Sequence, residues 1–182
     1  MLDDDFVTDQ DENQFYAAVG RAITTWAQVE DVLFAITFSI LGCSRERAAI
    51  VFYRTPTIDS RLTLTNDLID SFFPKHEGGD KPDARVKRWR EIQTLLREHL
   101  PIRNRLAHHP VGPVVDLRDD NNFQIIYASH ISSGERLRKG EVEPLELAEI
   151  RAHRQTVLMI LNELRNFHRQ EFPKPLPAPG GL

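Results

Sequence analysis

At 182 residues, with 41% hydrophobic and 27% charged residues, the chain has the composition of one globular domain able to bury a proper core. Its net charge of −4 excludes the basic surplus of a dedicated duplex-DNA binder, and its one cysteine, Cys43, excludes an internal disulfide framework. The acidic start Met1-Leu2-Asp3-Asp4-Asp5 lacks the apolar stretch of a signal peptide, and the apolar run at residues 32–41 is too short to span a bilayer. A cytoplasmic protein away from the membrane is expected.

Residues 1–12 carry six acids and no base, which reads as a solvated lead-in to a helical domain over residues 13–170. The strongest periodic signal follows. Phe15, Val19, Ala22, Trp26, Val29, Leu33, Ile36 and Ile40 recur in steps of four and three, the mark of a long helix. A second line, Ile23, Ala27, Phe34, Phe38 and Leu41, widens that stripe enough to serve a dimer seam as well as a core. Gly42 is a natural stop. Within the second line stands Glu30, whose carboxylate must reach a cation or water. Arg54 and Arg61 are the structural partners to expect; an accessory role, orienting Arg103 or a catalytic histidine, is the functional alternative.

Ser44 is placed to cap a second helix reaching about Arg54, and Thr57 to cap a third that ends before Pro74. A polar loop covers residues 74–82, and a fourth helix runs from Asp83 to His109. Pro101 interrupts that helix, so the segment beyond it is expected to be re-aimed by a kink or a fresh start. Residues 81–109 hold eight bases against three acids, a local positive excess in an acidic chain. Two β-rich runs, residues 114–117 and 123–127, flank Asp119-Asp120-Asn121-Asn122 and predict a small β-hairpin inserted at about residues 112–128. Two strands alone are marginal, so the pair is expected to lie against helices. Pro144 suits the first turn of a last helix with Leu147, Ile150, Val157, Ile160, Leu161, Leu164 and Phe167 as its core line. The tail over residues 171–182, rich in Pro and Gly, is expected to be disordered. The fold expected is all-α, an antiparallel helical bundle with a small β-hairpin.

The chemistry concentrates in Arg103-Asn104-Arg105-Leu106-Ala107-His108-His109-Pro110. Asn104 and His108 stand at i and i+4, one turn apart on one helix face. Arg103 points about 100° away, and its long stem can bring the guanidinium to the same spot. Pro110 pushes His109 out of helical geometry, which leaves His108 in the last turn, where the helix dipole favours positive charge. Guanidinium, carboxamide and imidazole at a helix end form a phosphate-handling group.

This Arg, polar residue and His, with four positions between Arg103 and His108, resembles the signature of the HEPN superfamily. The resemblance implies a small all-α domain, RNA as substrate, and cleavage without a metal or other cofactor. It also implies a homodimer whose two motifs face each other across a cleft. Arg103 would then hold the scissile phosphate, His108 would transfer protons, and Asn104 would orient His108 or the phosphate, with His109 as accessory. Cleavage by attack of the 2′-hydroxyl leaves a 2′,3′-cyclic phosphate and a 5′-hydroxyl. HEPN ribonucleases are frequently toxins or phage-defence effectors held by an antitoxin, often a minimal nucleotidyltransferase, so such a partner is expected too. The alternative is a catalytically silent HEPN-like module that binds RNA, a nucleotide or a partner protein.

Competing chemistries lack their residues. The seven histidines show no His-x-x-x-His pair, so no metal site is expected. There is neither a Gly-rich phosphate loop nor a Gly-x-Ser-x-Gly elbow, and Cys43 reads as a buried small hydrophobe.

Overall fold

The computed structural model describes residues 9–73, 83–108, 111–116, 124–129 and 145–173. Helices dominate, and the fold is all-α in class. Helix α1 (Asp9–Leu41) is the long striped segment. It begins inside the expected lead-in, where Asp9, Asp11 and Glu12 suit the positive end of a helix dipole. Its stop is Gly42, which adopts φ 58°, a left-handed conformation that a residue without Cβ accepts easily.

Helix α2 (Arg45–Arg54) is capped by Ser44, whose hydroxyl accepts from the Arg47 N–H at 3.4 Å. Helix α3 (Ile58–Phe72) is capped by Thr57, which accepts from the Ser60 N–H at 3.1 Å. Both caps are the ones predicted. Helix α4 (Ala84–His108) opens on Asp83, whose carboxylate accepts the Arg85 N–H at 2.8 Å, and continues through Pro101. Helix α5 (Leu147–Glu171) starts later than the Pro144 expectation. The Glu149 carboxylate accepts the Glu146 N–H at 2.7 Å, fixing Glu146 as the cap; Pro144 lies outside the described residues. Strands β1 (Val111–Asp116) and β2 (Gln124–Ser129) pair antiparallel, Val111 opposite Ser129 and Asp116 opposite Gln124. The expected turn at residues 119–122 lies outside the described residues.

The chain groups into two compact units. One comprises Met1–Thr25 and Pro101–Thr156, the other Trp26–Leu100 and Val157–Leu182. The second holds the larger core, with Trp26, Leu33, Ile36, Phe52, Leu62, Ile69, Trp89, Leu96, Leu161 and Phe167 at most 2% exposed. Phe172 joins it, against Phe72 at 5.5 Å and Phe73 at 5.9 Å between ring centres. Aromatic packing thus carries the ordered chain past the expected start of the tail; residues 174–182 lie outside the described residues. Ala48 and Phe52 take the buried side of α2, and Ile50 and Val51 are exposed. One further expectation is corrected in this unit. Cys43 is only half-buried, at the edge of the core.

In the first unit a smaller cluster joins Phe15, Ala18, Val19 and Ala22 of α1, Leu106 of α4, Leu145, and Ile150 of α5. Ile102 and Leu147 pack on its margin. The long α1 stripe therefore serves both clusters, Phe15 to Ala22 in one and Trp26 to Ile36 in the other. Of the second line, Phe34 is buried, whereas Ile23 and Ala27 are exposed.

Candidate functional site

The motif occupies the last two turns of α4, in the first unit. Ile102 and Leu106, one turn apart, face the cluster and set the rotation of the helix. About 100° per residue then turns Asn104 and His108 away from the cluster, and both are exposed. Arg103 and Arg105 fall on the two flanks, each partly buried. Arg103 donates from Nη1 to Oδ1 of Asn104 at 3.2 Å, so guanidinium and carboxamide are joined at the surface. Among the described residues no hydrogen bond links Asn104 to His108, which lies free of that pair at the final helical position. His109 lies outside the described residues.

Arg105 differs from its neighbour. Burial pulls its guanidinium below its ordinary value, opposed by the charge of Glu149 on α5. Across the cluster from α4, α5 presents buried His153 at 4% exposure and partly buried Arg154. One turn earlier, exposed Arg151 donates to Gln14 Oε1 of α1 at 3.2 Å. Sequence reading passed over Arg154, although its place one turn after Ile150 and one before Val157 marks a cation on a buried row.

Glu30 is placed by the structure on Arg61, in the second unit. Arg61 holds it from Nη1, donates from Nε to the Thr55 carbonyl at 3.0 Å, and lies over the Phe52 and Tyr53 rings, 5.4 Å from each centre. This is the structural pairing anticipated for Glu30. One histidine also draws notice in that unit. His168 Nε2 is 3.4 Å from Ser39 Oγ, but the Ser39 hydroxyl donates to the Ala35 carbonyl at 2.9 Å and leaves the imidazole no proton to take. The pair is not an activated serine.

Among the described residues no three His, Cys, Asp or Glu side chains gather as metal ligands, and no helix is long and apolar enough to cross a membrane. No known family model, curated protein or solved structure matches the chain.

Proposed function

We propose that the chain is a metal-independent endoribonuclease of the HEPN type, acting on RNA at a cleft between two copies. The observation that carries this reading is the exposed Arg103–Asn104 pair with exposed His108 one turn beyond, at the end of α4. Arg103 clamps the scissile phosphate, because a guanidinium offers two parallel donors to two phosphate oxygens. Asn104 holds that guanidinium in place. His108 moves a proton, either from the attacking 2′-hydroxyl or to the departing 5′-oxygen. One α4 supplies one such histidine, and both proton transfers need one each, so a second copy completes the reaction. The outward rotation of Asn104 and His108 leaves them available to that copy. The β1–β2 pair is read as the small hairpin insertion beside this site. A toxin or phage-defence role, with an antitoxin protein covering the motif, belongs to the same reading.

The test is purified protein on mixed RNA in EDTA, comparing wild type with Arg103→Ala and His108→Ala. Cleavage that leaves 2′,3′-cyclic phosphate ends and disappears in both variants is expected. If none of the three cleaves at concentrations where the protein is dimeric, the silent binding module replaces the nuclease reading.

A further inference from the structure

The outward side of α2 carries residues for which the rest of the described chain supplies no partner. Ile50 and Val51 are 56% and 44% exposed, although both are β-branched and gain little from a helix that does not bury them. Arg47 and Arg54, one turn before and one turn after that pair, are exposed as well. Neither has an ion pair or a side-chain hydrogen bond among the described residues. Arg47 stands in the first turn, where the helix dipole opposes a positive charge. The one carboxylate of α2, Glu46, is engaged at the helix start, where its own backbone N–H and then the Ser44 hydroxyl hold it below its ordinary value. Arg45 and Arg61, by contrast, have partners: Arg45 lies over the Phe34 ring at 5.1 Å, and Arg61 holds Glu30. An aliphatic pair framed by two uncommitted cations thus faces outward. Half-exposed Tyr53 borders it, packed on Phe34 and Phe52 at 5.5 and 5.2 Å between ring centres. Such a face suits a segment that brings carboxylates and apolar side chains together. Aliphatic side chains offer no flat surface on which a base can stack, so a strand of RNA is the poorer match.

The chain carries a segment of that chemistry. Met1-Leu2-Asp3-Asp4-Asp5-Phe6-Val7-Thr8 has three acids, no base, and the apolar Leu2, Phe6 and Val7; it lies outside the described residues. It leads into Asp9, the first residue of α1, whereas α2 packs beside Phe34. Asp9 to Phe34 is about 38 Å of helix at about 1.5 Å per residue, and eight extended residues cover at most about 28 Å. The α2 within its reach is that of another copy. We propose that residues 1–8 of one copy dock on the α2 face of a second, aspartates on Arg47 and Arg54, apolar side chains on Ile50 and Val51. The inference is independent of the reading of the α4 end as a phosphate site. Reciprocal docking closes a dimer in which each copy gives one segment and receives one. The contact is exposed and charged, so salt weakens it.

The experiment is chemical cross-linking between two differently marked copies of the full chain. Cys43→Ser removes the native thiol from both. One copy then carries Thr8→Cys and the other Val51→Cys, and a short bismaleimide joins thiols within its span. Joined pairs of unlike copies are expected on mixing, in a yield that falls as salt rises. Arg47→Glu with Arg54→Glu in the second copy should cut that yield about tenfold, because the aspartates then meet like charges. Both arginines are exposed, so the circular dichroism of this variant should match that of its parent. Asp3→Lys, Asp4→Lys and Asp5→Lys together in the first copy should restore most of the yield. No joining on mixing overturns the inference, as does a yield indifferent to both charge changes, which would mark chance collision. Joining within one chain that carries both cysteines, unchanged on dilution, overturns the docking between copies. If the α2 charge reversal instead weakens binding of a fluorescein-labelled 2′-O-methyl octanucleotide and leaves the joining unaltered, the face belongs to RNA and the inference falls.

Discussion

Removing Arg61 from Glu30 separates a structural carboxylate from a functional one. The two side chains are 15% and 17% exposed, between the surface pairs that contribute about 0–1 kcal/mol and the buried pairs whose breakage costs about 3–5 kcal/mol. Arg61→Met keeps the aliphatic stem against Phe52 and Tyr53 but leaves Glu30 without this cation and the Thr55 carbonyl without its donor. About 2–3 kcal/mol should be lost, a fall in melting temperature of roughly 4–12 °C at 2–4 °C per kcal/mol for a chain of this size. Glu30→Gln keeps the shape and an acceptor, and should cost about 1–2 kcal/mol. The double variant should cost less than the sum, because each single change already breaks the same contact. Urea denaturation of the four proteins reads the cycle, and RNA cleavage per folded molecule is followed beside it. Cleavage should not change. A Glu30→Gln protein with an unaltered urea midpoint and abolished cleavage would refute this reasoning and return Glu30 to the site.

Three further outcomes are expected. Thr37 and Thr65 are fully buried with their hydroxyl oxygens 3.3 Å apart, and Thr65 donates to the Arg61 carbonyl at 2.8 Å, so Thr37 is the donor to Thr65. Thr65→Val strands that donor and should cost about 1–3 kcal/mol, while Thr37→Val with Thr65→Val should come back towards wild type in the same denaturation assay. Burial lowers the imidazole of His168 from its ordinary 6.5, so the unfolded chain takes up the proton first. The stability this residue contributes is complete above pH 6.5 and is lost as pH falls from there towards the folded-state value; His168→Phe should flatten the stability profile between pH 7.5 and 5. Leu106→Ala in the smaller cluster should cost about 2–4 kcal/mol by cavity formation and weaken the RNA cleavage proposed above, because the same side chain sets the rotation of Asn104 and His108. Calorimetry and the EDTA cleavage assay check the two halves of that statement; a destabilised variant that cleaves normally would detach Leu106 from the site.

The sequence displayed those features that a single helix decides for itself. The stripe from Phe15 to Ile40, the stop at Gly42 and the caps at Ser44 and Thr57 depend on local spacing and backbone chemistry, and the structure has them in place. The exposure of Asn104 and His108 was legible for the same reason, since Ile102 and Leu106 fix the buried side of their helix. Features that need a partner element were hidden. Phe172 reads as the start of a polar tail until Phe72 and Phe73 supply its contacts. Cys43 reads as a buried small hydrophobe until the fold leaves it half-buried at the edge of the core. The division into two units leaves no mark in the periodicity, because α1, α4 and α5 run unbroken across residues 25–26, 100–101 and 156–157. Arg154 escaped because its Nε becomes an orphan only once the neighbouring helices close around it.

Pro101 has a consequence for the motion of the motif. Lacking an N–H, it cannot bond the Arg97 carbonyl, and the turns after it hold the cluster through Leu106, with Ile102 at the margin. Such a segment opens at a small fraction of the free energy that global unfolding requires. Its amides should exchange with deuterium well before those around Trp89 and Leu96 upstream on the same helix. A protein that engages the end of α4 would then act on the part of that helix expected to open first.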